Sequence, residues 1–210
     1  MNLTPLQTSC ATSVERVPNC PGSLDKSEAL GQLAHAHQAA AKKLGFSAVH
    51  YCPQVHGREV ARITETASAD HWTGGVDGLY TNTPGVCLGI HSADCGVLFL
   101  RDVTTGAIGL LHSGKKGTEL NITRHLIEMM TQDLGTDPTN LVAVLGPAIR
   151  PPHYEVDFPA TIREQALAAG IQPANYHDEG LCTSDLSRYY SYRLEKGNTG
   201  RLLALLGIPA

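Results

Sequence analysis

The chain lacks any long hydrophobic run. No apolar stretch approaches the roughly 18–20 residues that cross a bilayer as a helix. Residues 1–22, MNLTPLQTSCATSVERVPNCPG, show neither a positively charged start nor an apolar segment, so they do not read as a secretory leader. The expectation is a cytoplasmic chain with no membrane partner. Aromatic residues are scarce, at 5% with a single Trp, and the Lys and Arg residues are scattered over a chain of formal net charge −4. A nucleic-acid binder would show a basic stripe interleaved with aromatics, and none is present. CxxC pairs are absent too. Six cysteines (Cys10, Cys20, Cys52, Cys87, Cys95 and Cys182) are widely spread, which in a reducing compartment argues against a disulfide framework. There is no fixed-period repeat and no low-complexity segment.

What is there reads as an ordinary globular chain. The 42% of hydrophobic residues can build a real core, and 210 residues fit one domain, expected to span 1–210. Residues 1–24 carry Pro5, Pro18, Pro21 and Gly22, and read as an extended arm with at most a short strand. Over 27–44 a helical period puts Leu30, Leu33, His37, Ala41 and Leu44 on one face, closed by Gly45. Residues 47–64 alternate like two strand segments around Pro53. GVCLGIHS, CGVLFLRD and GAIGLLHS are short apolar runs parted by turn-type breaks. A helix is expected over 118–134, with Ile122, Leu126, Met129 and Met130 inward. Further expectations are a buried strand over 141–146, a helix over 158–169 and a helix over 184–194. Strand-rich segments alternating with a few helices predict an α+β fold, a layered α/β sandwich of mixed sheets flanked by helices.

Three segments share one design, an apolar strand that ends abruptly in His or Cys beside glycine: QVHG (54–57), HSADCG (91–96) and LLHSGKKGT (110–118). Strand ends emptying into Gly-rich turns bring polar groups to the surface of a rigid sheet. His56, Cys95 and His112 are the candidates they supply. Two imidazoles and a thiolate suit zinc, and three protein ligands leave a fourth position open, as in catalytic rather than structural sites. Spacing alone does not decide the matter. The intervals of 39 and 17 residues match no compact zinc signature, and two satisfied strand-end histidines with a buried thiol would look the same. His35 and His37 lie on different faces of their helix and form no ligand pair.

In order along the chain, QVHG, residues 77–102, 106–130 and 141–157, and the closing CTSDLSRYYSYRLEKGNTGR (182–201) resemble the successive motifs of the YfiH-like, laccase-domain family, also called multicopper polyphenol oxidases. The resemblance covers about residues 50–201. It implies a zinc ion held by His56, Cys95 and His112. It also implies a purine nucleoside phosphorylase-like activity, with adenosine deamination in some members, so nucleoside and phosphate are the expected partners. A blue-copper centre would want a weak axial Met, and the three Met residues (1, 129 and 130) lie at the start or on a core helix face.

The chain also departs from the family. Where relatives read His-Ala-Gly-Trp-Arg-Gly, this sequence reads HSGKKG, with Lys115 for the aromatic and Lys116 for the arginine. His153 stands where the family carries a second Cys, as an extra ligand or base, and the family's Thr-, Arg- and Gly-rich N-terminal motif is not recognisable in 1–24. Asp94, before the thiolate, is expected to orient a ligand imidazole or a water as part of a catalytic set with Cys95 and His112. Lys116, Arg150 and Arg193 are the expected phosphate or substrate contacts. Arg201, like Arg193, matches a family position and reads either as a ligand contact or as a structural pairing, and Cys182 reads as packing. The leading reading is a zinc-dependent purine nucleoside phosphorylase or adenosine deaminase. One alternative is a cysteine hydrolase or deamidase with Cys95 as nucleophile and His112 as base. The other is a non-catalytic zinc-binding member acting as a binding partner.

Overall fold

The computed structural model describes residues 1–6 and 10–210; the side chain of Cys10 lies outside the described set. In chain order the strands are β1 (Cys10–Val14), β2 (His50–Tyr51), β3 (Val60–Arg62), β4 (His71–Trp72), β5 (Gly78–Thr81) and β6 (Cys87–Ser92). They continue as β7 (Gly96–Asp102), β8 (Ile108–Ser113), β9 (Leu141–Leu145), β10 (Tyr176–Asp178) and β11 (Leu202–Gly207). The helices are α1 (Lys26–Lys43), α2 (Lys115–Glu119), α3 (Ile122–Leu134) and α4 (Phe158–Ala168).

Two mixed sheets result, ordered β1-β11-β6-β2-β4 and β10-β9-β7-β8-β5-β3. Side chains alternate across each strand, and the apolar runs use both faces. On β7, Val97 and Phe99 pack between the sheets with Leu88 and Ile90 of β6 and Leu206 of β11. Leu98 and Leu100 point the other way, onto Leu126, Ile127 and Met130 of α3 and Ile162 of α4. Helix α1 covers the outer face of the first sheet, where Ala41 meets Tyr51, Leu203 and Leu205. The layers therefore run α1, sheet, sheet, α3 with α4, which is the sandwich of mixed sheets flanked by helices that the sequence predicts.

The details differ in instructive places. Asp25 caps α1 by accepting from the Glu28 amide at 2.8 Å, so the helix begins at Lys26, and Ala29 rather than Leu30 is buried with Leu33, His37 and Ala41. The single helix expected over 118–134 is two, because Asn121 adopts a left-handed backbone (φ 59°) between α2 and α3. Asn is among the few residues that reach that region cheaply. Ile127 takes the inward place expected of Met129, which is half-buried. Residues 184–194 are turns, not a helix. Side chains capture their amides instead: Asp185 accepts from Ser187, Glu195 from Ser191, and Asp94 from Arg193, the competition that disfavours helix. The N-terminal arm is an edge strand, β1, and Arg16 ties it to the closing segment through Glu195 and the Tyr190 ring.

Gly89 of β6 marks a close approach. A Cβ there would sit 2.4 Å from Tyr51 Cε1 and 2.7 Å from Val49 Cγ1, and Tyr51 in turn stacks on His91 and Trp72 at 5.0 Å each. Gly89→Ala should overpack this stack at a cost of about 1–3 kcal/mol, lowering Tm by roughly 2–4 °C per kcal/mol. A melting temperature unchanged from the wild type would show that the stack can give way.

Candidate active site

The strand register assembles the site. Residue Asp77 precedes β5, and Gly78 pairs with Leu111, so Asp77 lies opposite His112 of β8. On the other side of β8, Gly96 of β7 pairs with Ser113, which brings Cys95 against Gly114. The approach is so close that a Cβ on Gly114 would lie 2.4 Å from Cys95 Sγ. Glycine at 114 therefore makes room for the sulfur. The fourth piece, the loop carrying His56, leads into β3, which pairs in parallel with β5.

Asp77 joins these pieces. Its buried carboxylate accepts the backbone N–H groups of Val55 (3.0 Å), His56 (2.9 Å) and Gly57 (2.8 Å), and meets His112 Nδ1 at 3.0 Å. Its carbonyl accepts the His112 amide at 2.8 Å. Gln54 and His56 both hold left-handed backbones, φ 59° each, a conformation that non-glycine residues keep only where surroundings impose it. The three amides converging on one carboxylate, and the Gln54 side chain clamped onto the backbone of His91, are those surroundings.

His56, Cys95 and His112 come together as expected: their ligand atoms lie within 4.8 Å of one another, with His56 exposed, Cys95 half-buried and His112 buried. Burial disfavours the Cys95 thiolate, but the facing charge of His112 and hydrogen bonds from both imidazoles bring the thiol down to about 6. Burial likewise opposes charge on His112, yet Cys95 and Asp77 raise it to about 9. Burial opposes ionisation of Asp77 as well, and the bonds from His112 and the Gly57 and His56 amides hold it below the usual carboxylate range. Since Nδ1 of His112 is taken by Asp77, its other ring nitrogen is the one free for the cluster. A thiolate and two imidazoles, one of them oriented by a carboxylate, suit a borderline-soft metal such as zinc.

The cluster lines a cavity of about 620 Å³ together with Tyr154, Phe158, Tyr192 and Ile149, within the range of small-molecule sites. Other expected site residues fare differently. Asp94 lines the cavity, but Thr183 Oγ1 (2.6 Å) and the Arg193 amide (2.7 Å) occupy its two oxygens, so the imidazole-orienting task falls to Asp77. Arg193 lines the cavity while paired with Glu155 at 2.7 Å and lying over Tyr154. Arg150 is drawn away from the cavity by Asp178 at 2.7 Å and the Leu181 carbonyl. Lys116 is exposed and is not among the residues lining the cavity, whereas Lys115, also exposed, is. His153 is exposed and joins neither cluster nor cavity. Cys52 is a buried thiol, pushed up to about 12 by burial; Cys20 and Cys182 are half-buried free thiols and Cys87 is fully buried. Sequence reasoning missed Asp77, Gln54 and Lys26, all brought in by the fold. For Asp77 the signal was its place at the head of an apolar strand, the same strand-end position as the ligands.

Replacing Asp77 by Asn should weaken metal binding about 10–100-fold, the usual effect of removing a carboxylate behind a ligand histidine. Asp94→Asn should leave metal affinity near wild type. Chelator competition with both variants measures this, and equal losses would refute the assignment of roles.

Known proteins place the chain. The family model described as multi-copper polyphenol oxidoreductase laccase matches residues 21–158 and 155–209. A purine nucleoside phosphorylase of Deinococcus radiodurans is 33% identical over 88% of this chain and 81% of its own length. The crystal structure of YlmD from Geobacillus stearothermophilus superposes with a TM-score of 0.87 at 25% identity, covering 99% of this chain and 94% of that one. That of the Bacillus licheniformis hypothetical protein YfiH reaches 0.80 at 21% identity, covering 95% and 90%. With its strand-end cluster in place and the family model matched over nearly all of its length beyond residue 20, the chain belongs to the multi-copper polyphenol oxidoreductase laccase family, the one that contains YlmD and YfiH.

Proposed function

We propose that this chain is a zinc-dependent purine nucleoside phosphorylase-like enzyme that cleaves inosine or adenosine with inorganic phosphate. The observation that carries the reading is the convergence of His56, Cys95 and His112 on one cavity that also has an aromatic lining, in a chain whose relatives bear that name. Bound at those three residues, zinc would supply a Lewis acid. In the reaction a phosphate oxygen bonds to C1′ of the ribose, the C1′–N9 bond breaks, and its electron pair leaves with the purine, which takes up a proton.

The chain's own groups supply the rest. The aromatic lining of Tyr154, Phe158 and Tyr192 offers a wall for a purine in a chain whose HSGKKG turn carries Lys115. Asp77 holds His112 in one orientation through Nδ1, and by accepting the Val55, His56 and Gly57 amides it fixes the loop before substrate arrives. Adenosine deamination by water suits the same donor set, and release of ammonia instead of ribose 1-phosphate identifies it. The cavity keeps both donors and walls, which favours an enzyme over a non-catalytic zinc-binding partner.

A second reading has its own support. Asp77, His112 and Cys95 form a carboxylate–imidazole–thiol series in which the thiol is lowered to about 6, the pattern of a cysteine hydrolase. The two readings part on the state of the sulfur. A thiolate held by metal resists alkylation until the metal is removed, whereas a free nucleophile reacts at once.

Purified protein should carry about one zinc per chain, as expected of a three-ligand catalytic site, and lose it in the His56→Ala, Cys95→Ala, His112→Ala triple variant. Elemental analysis tests this, and full retention of zinc would sink the proposed ligand set. Iodoacetamide should label Cys95 slowly in the zinc-loaded protein and rapidly after chelation. Rapid labelling with zinc in place would turn the assignment toward the hydrolase.

A further inference from the structure

Among the described residues three cations of the cavity wall, Lys26, Lys115 and Arg201, form no ion pair; Lys115 is exposed, whereas Lys26 and Arg201 are half-buried. Lys26 opens α1 and donates to the Pro53 carbonyl at 2.7 Å. Arg201 precedes β11, where Leu202 pairs with Ser92, and so stands beside the turn carrying Asp94 and Cys95. Its Nη1 donates to the carbonyls of Thr199 (3.2 Å) and Gly200 (2.8 Å), which fixes the guanidinium and leaves Nε and Nη2 as a planar pair of donors. Both residues line the cavity that holds His56, Cys95 and His112. Among the described residues neither is ion-paired, whereas the cavity's Arg193 is neutralised by Glu155.

The surroundings make this arrangement costly without an anion. Burial, followed by the charge of Arg201, lowers the pKa of Lys26, and burial lowers that of Arg201. His91, in the same wall, is held neutral by burial, His37 and these two cations. It therefore adds no third positive charge. Nearby anions offset this only at a distance: Cys95 and Asp94 favour the charge on Arg201, and Asp77 and Cys95 that on Lys26, while the Asp94 and Asp77 oxygens make their hydrogen bonds to other groups. A fixed guanidinium pair beside an ammonium is the donor pattern that fits a tetrahedral phosphate.

We propose that Lys26 and Arg201 form a phosphate subsite, with the guanidinium Nε and Nη2 taking two oxygens and the Lys26 ammonium a third. The identity of the anion as the attacking phosphate rests on the phosphorolysis reading; the subsite itself does not. It replaces Lys116, Arg150 and Arg193 as the anion-binding group.

The test is titration of inorganic phosphate into zinc-loaded protein by calorimetry and by thermal shift, for wild type, Lys26→Met, Arg201→Met and the conservative Lys26→Arg. Lys26→Met should lose about ten- to hundred-fold in phosphate affinity, the range for one charge-assisted hydrogen bond. Arg201→Met, which removes two, should lose more, and both should lose the phosphate-induced rise in Tm. Lys26→Arg should recover most of it. Retained zinc and a cooperative melt show that each variant is folded. Equal phosphate affinity in wild type and both Met variants overturns the subsite, as does absence of phosphate binding to the wild type. If phosphate binds through Lys26 and Arg201 but no nucleoside is cleaved, the subsite stands and phosphorolysis fails. If a nucleoside 5′-monophosphate alone gives the Lys26-dependent shift, the subsite stands and the phosphate belongs to the substrate. Cleavage of nucleoside without phosphate dependence rejects the subsite as the source of the attacking group.

Discussion

A single buried carboxylate organises the functional end of this molecule. Asp77 accepts three consecutive amides and faces an imidazole, so the His56 loop, the start of β5 and the end of β8 are joined through one side chain. Hydrogen bonds to a charged group contribute about 1.5–3 kcal/mol each, and a buried charge stripped of its partners costs roughly 3–5 kcal/mol. Such magnitudes explain how two non-glycine residues, Gln54 and His56, are kept at positive φ. Asp77 also settles which nitrogen of His112 faces the cluster, and it leaves Cys95 and His112 to set each other's charge.

The frame that positions Asp77 was largely readable. The runs around 87–92, 96–102, 108–113 and 141–145 are apolar at nearly every position because their sheets are covered on both faces, and such runs announce buried strands without stating their order. Order is what the sequence withheld. The first sheet places β11 between β1 and β6, so Arg201 reaches the turn of Asp94 and Cys95 across more than a hundred residues of chain. Lys26 had no local signal at all, since a lysine in the first turn of an amphipathic helix reads as solvated. The three metal-ligand candidates stood out because His or Cys closing an apolar strand is conspicuous. Asp77 occupies the mirror position, opening a strand, where a carboxylate reads as a turn residue.

Elsewhere side chains compete with the backbone pattern. Asn121 breaks what the period draws as one helix, and Asp94, Asp185 and Glu195 capture amides that a helix over 184–194 would have used. Charge and motif position say nothing of direction: Asp178 pairs with Arg150 outside the cavity lining, and of the two adjacent lysines on a short helix Lys115 lines the cavity. The HSGKKG departure thus alters the cavity wall through a different lysine from the one that replaces the family arginine.

The strand-end origin of the ligands has a consequence for assembly. In a small metal-dependent domain the ion organises the chain, because no core exists to do so. Here Cys95 and His112 come from the neighbouring strands β7 and β8, and His56 from the loop before β3, in a sheet whose two faces already bury two apolar clusters. The β3–β5–β8 pairing must therefore form before all three donors meet. An ion held by these residues would arrive at a finished scaffold and leave one behind. Metal loading at these residues would then be a late, reversible event, setting how much of the folded population is competent without setting how much of it is folded.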